Sequence, residues 1–277
     1  MKRVLNVRFP EGRFKAVTLS YDDGVKQDAK FIDIIDKYGL KCTFNLNSGC
    51  YPAEDSPHRR LSKKSCIELY KNSPHEVAVH GLTHPFLERL PAPNVAYEII
   101  KDRESLENDF ECIVRGMAYP FGTYSDEVVE TLRACGIAYA RTTKSTETFD
   151  IPTDWLRMPA TCHHNNPRLM ELARDFIENP PIRKKAKLFY LWGHTYEFDD
   201  RDNWNVIEEF AEYMGGRDDV WYATNIEIFE YIEDFNRLIF SVDAMRVKNP
   251  TARTIWFYFG KKVYSVNAGE TIYLADE

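Results

Sequence analysis

Three features are missing from this sequence, and each absence excludes a class of protein. No apolar stretch approaches the roughly 20 residues that a membrane-spanning helix needs, so we expect no membrane partner. The formal net charge is −7, which argues against nucleic-acid binding because such proteins present a basic face. The first residues also lack the apolar core of a signal peptide, since Asn6 and Arg8 interrupt it.

The cysteines show no metal-binding or redox spacing. There are 6 in the chain, at positions 42, 50, 66, 112, 135 and 162, and no two of them form a CxxC pair. Without a signal peptide, this usage predicts reduced thiols and a cytoplasmic protein. A chain whose leader has been removed would look the same, so that alternative stays open.

The apolar pattern predicts a large α/β domain. A hydrophobic content of 44% is ample for a packed core, and about seven strand segments alternate with helical segments up to residue 238. This alternation favours an irregular, TIM-like (β/α) barrel of parallel strands over residues 1–238. Residues 239–277 instead contain a hairpin pattern and form a small β appendage, for which the N-terminal strand Val4–Phe9 is a candidate partner.

Two predicted strands end in side chains that bind metals. The apolar run Ala16–Leu19 leads into Asp22 and Asp23, and Glu76–Val79 leads into His80-Gly81-Leu82-Thr83-His84. One carboxylate and two imidazoles form a three-ligand set that leaves a coordination position open, as hydrolytic zinc sites do. The remaining carboxylate can serve as a base. Either motif alone is weak, because paired aspartates are common in turns and HxxxH arises by chance.

Five ordered motifs between residues 16 and 194 strengthen this interpretation. They are Ser20-Tyr21-Asp22-Asp23, His80 with His84, Arg115 followed by Pro120-Phe121-Gly122, Asp154-Trp155, and Trp192-Gly193-His194. In order and approximate spacing they resemble the polysaccharide deacetylases of carbohydrate esterase family four, the NodB-homology domain. Three positions depart from that family's pattern: Tyr21 replaces Phe, Gly81 replaces Ser or Thr, and Trp192 replaces a small aliphatic residue.

The resemblance implies a role for each matched polar residue. Asp23, His80 and His84 would bind a divalent metal, most often zinc in this family, with cobalt, nickel or manganese as alternatives. Asp22 would be the general base toward the water activated by the metal, and Arg115 would pair with it. His194 would protonate the leaving amine, and Asp154 would orient His194.

The resemblance also implies substrate contacts. The backbone N–H of Phe121 would stabilise the oxyanion, and the residues expected to contact substrate are Tyr21, Tyr119, Phe121, Trp155 and Trp192. Residues 162–167 are predicted to be a loop because Asn165-Asn166-Pro167 follows the histidines. One of His163 and His164 is a candidate to reach the pocket.

The implied activity is hydrolysis of an N-acetyl group on a small or oligomeric carbohydrate, with release of acetate. A non-sugar amidohydrolase that cleaves a cyclic amide or imide is the first alternative. A non-catalytic carbohydrate-binding protein is the second, although such a protein would have no need of Asp22 beside Asp23, or of His194.

Overall fold

The computed structural model describes residues 5–54, 59–180 and 185–274. Its strands are β1 Leu5–Arg8, β2 Lys15–Asp22, β3 Cys42–Leu46, β4 Glu76–Val79, β5 Gly116–Ala118, β6 Tyr139–Ser145, β7 Met158–Ala160, β8 Cys162–His163, β9 Lys187–Gly193, β10 Val220–Tyr222, β11 Ile239–Phe240, β12 Arg246–Lys248, β13 Ile255–Phe259, β14 Lys262–Val266 and β15 Thr271–Tyr273. Its helices are α1 Gln27–Lys37, α2 Lys63–Tyr70, α3 Ala92–Phe110, α4 Asp126–Ala134, α5 Leu169–Glu178, α6 Tyr196–Asp200, α7 Asn205–Met214 and α8 Asn225–Asn236. Short 3₁₀ segments lie at Pro10–Gly12, Ser48–Cys50, Leu87–Arg89, Pro120–Gly122 and Trp155–Arg157.

A parallel sheet closes into an irregular barrel. The strand order is β7-β6-β5-β4-β3-β2-β9-β8, and β10 adds to β2. Only Thr161 separates β7 from β8 in the sequence, yet β7 pairs with β6 and β8 pairs with β9. The segment from Met158 to His163 therefore joins the two edges of the sheet. This arrangement confirms the predicted TIM-like barrel of about seven parallel strands.

Alternation along β2 separates an apolar outer face from a polar inner face. Leu19 and Tyr21 belong to one buried cluster with Phe31 of α1, so they face the helices. The alternate residues face the interior, where the Asn45 amide donates to the Ser20 hydroxyl and to Asp22. The barrel interior is therefore lined with hydrogen-bonding groups just below the ends of the strands.

Several element boundaries differ from those expected. The strand predicted over 112–119 is limited to β5, because Cys112 and Ile113 lie exposed before it. The following strand begins at Tyr139 rather than Gly136, since Gly136 has a left-handed backbone (φ +75°) in the turn after α4. The predicted loop at 162–167 begins with a short strand, because residues 162–163 pair with β9.

The C-terminal residues form two small antiparallel sheets. β1 pairs with β13, which forms a hairpin with β14, and β12 lies between β11 and β15. Val4, at the start of the predicted N-terminal strand, lies outside the described residues. One buried cluster contains Val247 and Phe257 of the appendage together with Leu188 and Tyr190 of β9. The division of the chain at residue 238 stays a prediction.

The N-terminus of α8 enters the end of the barrel opposite the carboxyl ends of the strands. Thr224 and Glu227 form a capping box, and Asn225 follows as the first helical residue. The Thr18 hydroxyl donates to Oδ1 of the Asn225 side chain, and Nδ2 of the same side chain donates to the Tyr190 hydroxyl. The helix end thereby satisfies polar groups of the barrel interior.

Two further observations concern the described part of the chain. None of its helices is long and apolar enough to cross a membrane. It includes all the cysteines, and none of them forms a disulfide there.

Candidate active site

Five of the polar residues singled out in the sequence, Asp22, Asp23, His80, His84 and His194, converge at the carboxyl ends of β2, β4 and β9. Asp22 is the last residue of β2, His80 follows β4, and His194 follows β9. The parallel register places Tyr21 opposite Gly193, so the residues that follow each of them lie side by side. The carboxyl ends of parallel strands are where barrel enzymes place their active sites.

Three of these residues form a set that could hold a metal. Single ligand atoms of Asp23, His80 and His84 all lie within 4.8 Å of one another. His80 Nδ1 lies 2.8 Å from the Ala118 carbonyl, which can only accept, so Nδ1 carries the proton and Nε2 keeps its lone pair. Burial lowers the pKa of His84 to about 4, which leaves that imidazole neutral. Two neutral imidazoles and a carboxylate are a donor set that suits zinc.

The Arg60 guanidinium, which is not one of the three ligands, stabilises the Asp23 carboxylate. Arg60 Nη2 lies 2.8 Å from Asp23 Oδ1, and Arg60 Nη1 donates to the Asp23 backbone oxygen and to the Asn47 side chain. The Asn47 amide in turn donates to the backbone oxygens of His80 and Gly81. Arg60 and Asn47 therefore link the segments that carry the three ligands.

Asp22 lies beside the metal-binding set and is 3% exposed. Its Oδ1 accepts hydrogen bonds from Asn45 Nδ2 at 2.8 Å and Arg141 Nη2 at 2.7 Å. His80 Nε2 and His194 Nε2 each lie 3.8 Å from its Oδ2. Burial opposes ionisation, but Arg141 and the two histidines lower the pKa of Asp22 to about 2. Asp22 is therefore a charged proton acceptor.

His194 is held by Glu197, which lies one turn further along the chain. His194 Nδ1 lies 2.8 Å from Glu197 Oε1. Burial works against the charged imidazole, but the hydrogen bond that His194 donates to Glu197 and the charges of Asp22 and Asp23 raise the pKa of His194. With Nδ1 bonded to Glu197, Nε2 faces the Asp22 carboxylate and the space beside it. The imidazole is thus prepared to give up a proton at Nε2.

Two predicted partner residues are wrong. Arg115 is exposed before β5, at the opposite end of the barrel, and its guanidinium lies over the Phe229 ring. Arg141, an inward-facing residue of β6, pairs with Asp22 instead. Asp154 caps the turn at 155–157 by accepting from Leu156 N and pairing with Arg157. Glu197, not Asp154, is the carboxylate that contacts His194.

Three residues predicted to contact substrate lie away from the open space at the site: two have covered side chains, and the third lies elsewhere in the barrel. Tyr21 is 0% exposed, with its ring 4.1 Å from that of Phe31 on the helix side of β2. The Tyr119 hydroxyl donates to the Leu156 backbone oxygen within the protein. Trp155 precedes β7 and packs edge-on against Phe229, far along the barrel from the carboxyl ends of the strands.

The other two aromatic residues lie at the site. Phe121 is 50% exposed, stacks on Phe86 with ring centroids 3.9 Å apart, and meets the edge of His84. Trp192 is largely buried and lies over the Arg141 guanidinium, 4.4 Å from the ring centroid. Phe121 therefore lies at the rim and Trp192 inside the barrel.

Sequence reasoning missed Arg141 and Glu197, although each has a local signal. Arg141 stands two residues after Tyr139 in a strand, so both side chains face the same way into the barrel. Glu197 follows His194 at a spacing of three, which brings the side chains together at the start of a helix.

The chain is similar in part to known proteins. Residues 10–140 match the family model of the polysaccharide deacetylases. The matched segment, just under half of the chain, is similar to this family. A chitooligosaccharide deacetylase from Sinorhizobium fredii is 27% identical over 147 residues, which are 51% of this chain and 60% of the relative. The match thus spans less than two thirds of that enzyme.

Solved structures extend the similarity in fold beyond the matched family region. A structure from Mycobacterium smegmatis, assigned to the polysaccharide deacetylases, is similar with a TM-score of 0.59 and 17% identity, covering 83% of this chain and 94% of its own. The family 4 carbohydrate esterase of Streptomyces lividans, solved with acetate, is similar with a TM-score of 0.51 and 15% identity. That similarity covers 76% of this chain and 93% of the esterase. At these identities the similarity shows the fold of the polysaccharide deacetylases.

Proposed function

We propose that this polysaccharide deacetylase domain hydrolyses an N-acetyl group on a carbohydrate and releases acetate. One observation carries the proposal: the ionised Asp22 lies between the metal-binding set and His194, 3.8 Å from a ring nitrogen on each side. A base and an acid on either side of one reacting position are what amide hydrolysis requires. The family match supports the same class of reaction.

The residues divide the reaction into two proton transfers. A divalent metal bound by Asp23, His80 and His84 would polarise the amide carbonyl and make water more acidic. Asp22 accepts the proton of the attacking water as the new C–O bond forms. His194 then donates its Nε2 proton to the amide nitrogen as the C–N bond breaks. The products are acetate and the free amine.

Other side chains prepare these two groups. Arg141 keeps Asp22 ionised, and Glu197 keeps His194 protonated with Nε2 toward the reacting nitrogen. We assign the Phe121 backbone N–H to the oxyanion of the tetrahedral intermediate. The exposed face of Phe121 and the Trp192 ring are our candidates for the sugar and the acyl ends of the pocket.

The test couples metal analysis to a substrate panel. We expect the purified protein to bind one divalent metal and to release acetate from N-acetylated sugars or their oligomers. Acetate release should fail after metal removal and return on adding Zn²⁺, Co²⁺, Ni²⁺ or Mn²⁺. Cleavage of a cyclic imide with no release of acetate would instead support the amidohydrolase alternative, and inactivity on both classes would contradict the proposal.

Variants separate the base from the ligands. Asp22→Asn should keep the metal and lower kcat about 10²–10⁴-fold, because the amide cannot accept the water proton. His84→Ala should lower metal content as well as activity, since a three-ligand set is the minimum that holds the ion. Normal turnover in Asp22→Asn would assign the base to another residue.

A further inference from the structure

A second group of polar side chains, separate from the metal-binding set, lies around Glu197, the residue that contacts His194. His163 ends β8, His164 follows it, and both rings approach Glu197 of α6. His163 Nε2 lies 3.5 Å from Glu197 Oε1, and His164 Nε2 lies 3.5 Å from Glu197 Oε2. The Asn165 amide also donates to Oε2. Glu197, which holds His194, therefore has one hydrogen-bond donor in Asn165 and two further ring nitrogens at 3.5 Å.

The position of His164 is fixed by the residue next to His194. Its side chain is fully buried and stacks between the rings of Tyr21 and Phe198, at 5.7 Å and 4.2 Å. A Cβ added to Gly193 would come within 2.0 Å of His164 Nδ1. Residue 193 can therefore carry no side chain while His164 occupies this space. Burial also lowers the pKa of His164 to about 4, so its ring is neutral.

The hydrogen bonding of His163 fixes its tautomer. The backbone N–H of Asn165 donates to His163 Nδ1 at 3.1 Å, so this nitrogen carries a lone pair. A neutral ring must then carry its proton on Nε2, which is the atom that faces Glu197. An Nε2–H cannot bind a metal, but it can donate to a carboxylate. The cluster therefore suits hydrogen bonding to Glu197 better than a second metal ion.

We propose that His163 and His164 are positioning residues that hold Glu197 in place for its hydrogen bond with His194. Each histidine approaches a different carboxylate oxygen of Glu197. A rotation of Glu197 away from His194 would break the hydrogen bond from Asn165 and move the carboxylate away from the ring nitrogens of His163 and His164. This inference builds on the proposed role of His194 and adds the residues that support it.

Several groups lie close to His194, and a test must separate their effects on its pKa from the effect of His163. Asp22 lies 3.8 Å from Nε2, and Glu197 lies 2.8 Å from Nδ1. The ring of Tyr196 lies 5.1 Å away and is covered by the Arg59 guanidinium. Arg201 approaches Glu197 Oε2 at 3.4 Å from the solvent side. Changing His163 leaves all these groups in the chain.

The test compares His163→Leu with His163→Gln in the metal-loaded protein. Gln can place an amide N–H near the position of Nε2, whereas Leu has no donor. We expect His163→Leu to lower the pKa of His194 by about one unit, or about tenfold in proton affinity, and His163→Gln to restore it. The pKa is read by NMR of isotope-labelled histidine, and the basic limb of kcat/KM against pH should move with it. KM and metal content should stay unchanged.

His163 is a better test than His164 because it is partly exposed and its replacement disturbs packing less. A folded His163→Leu protein whose His194 titrates as in the wild type would overturn the proposal. So would two metal ions per wild-type chain and one in His163→Leu, because the cluster would then be a metal site. The NMR titration needs no substrate. A shifted pKa without acetate release from any sugar would count against the proposed function alone.

Discussion

At the residue scale, the charge of Asp22 depends on Arg141. Both side chains are at most 3% exposed, and Arg141 Nη2 contacts both carboxylate oxygens. A carboxylate with a lowered pKa stabilises the fold above pH 4 or so, and this contribution is lost as the pH falls toward 2. Arg141→Met removes the cation, so the pKa of Asp22 should rise.

We therefore expect Arg141→Met to lower the free energy of unfolding by about 3–5 kcal/mol at neutral pH, as when one partner of a buried ion pair is removed. The acidic limb of kcat/KM should move to higher pH. Urea denaturation and the pH profile measure the two effects. Arg115→Met is the matched control, since the exposed Arg115 should tolerate the same change; equal losses in both variants would contradict the assignment of Arg141.

A second residue-scale prediction concerns Glu197. Its hydrogen bond and charge raise the pKa of His194, so Glu197→Gln should lower that pKa. His194 must be protonated to act as an acid, and activity is therefore lost at a lower pH in the variant. We expect the basic limb of kcat/KM to move to lower pH while the metal stays bound. Asp154→Asn also replaces a carboxylate by an amide, but away from His194, so it should leave the basic limb in place. A shift of the basic limb in Asp154→Asn and not in Glu197→Gln would favour Asp154.

The residues recovered from the sequence share a local signature. Asp22 ends a strand, and Asp23, His80, His84 and His194 come just after one, so chain order alone brings them to one end of the barrel. Arg141 was missed because its partner is 119 positions away, and only the pairing of β6 with β5 determines which way it faces.

At the element scale, close contact between neighbouring strands limits side-chain size. Gly193 of β9 lies against the His164 ring, and an added Cβ would come 2.0 Å from Nδ1. We expect Gly193→Ala to lower the free energy of unfolding by about 1–3 kcal/mol, the usual cost of overpacking. The effect should be smaller in a His164→Ala background, where the ring is gone. Thermal or urea unfolding of the four proteins gives the coupling, and strictly additive losses would place the strain elsewhere.

Strand positions were predictable where pattern and pairing agree. β3 and β4 have their expected bounds because apolar and polar residues mark both ends. The short strand at Cys162–His163 was not predictable, since its position depends on pairing with Leu191 and Trp192 of β9 where the barrel closes. No local pattern reports such a partner, and propensity alone favours a loop before Asn165-Asn166-Pro167.

At the scale of the whole molecule, the β appendage and the barrel share one buried cluster. Phe257 and Val247 belong to the same cluster as Leu188 and Tyr190 of β9, and β13 also pairs with β1. Removing residues 239–277 would expose Leu188 and Tyr190 and leave β1 without its partner strand. Because large apolar patches cause association, we expect the shortened chain to bind a hydrophobic dye and to unfold at a lower temperature or aggregate. A shortened chain that stays monomeric, with unchanged Tm and full metal content, would show that the barrel folds without the appendage.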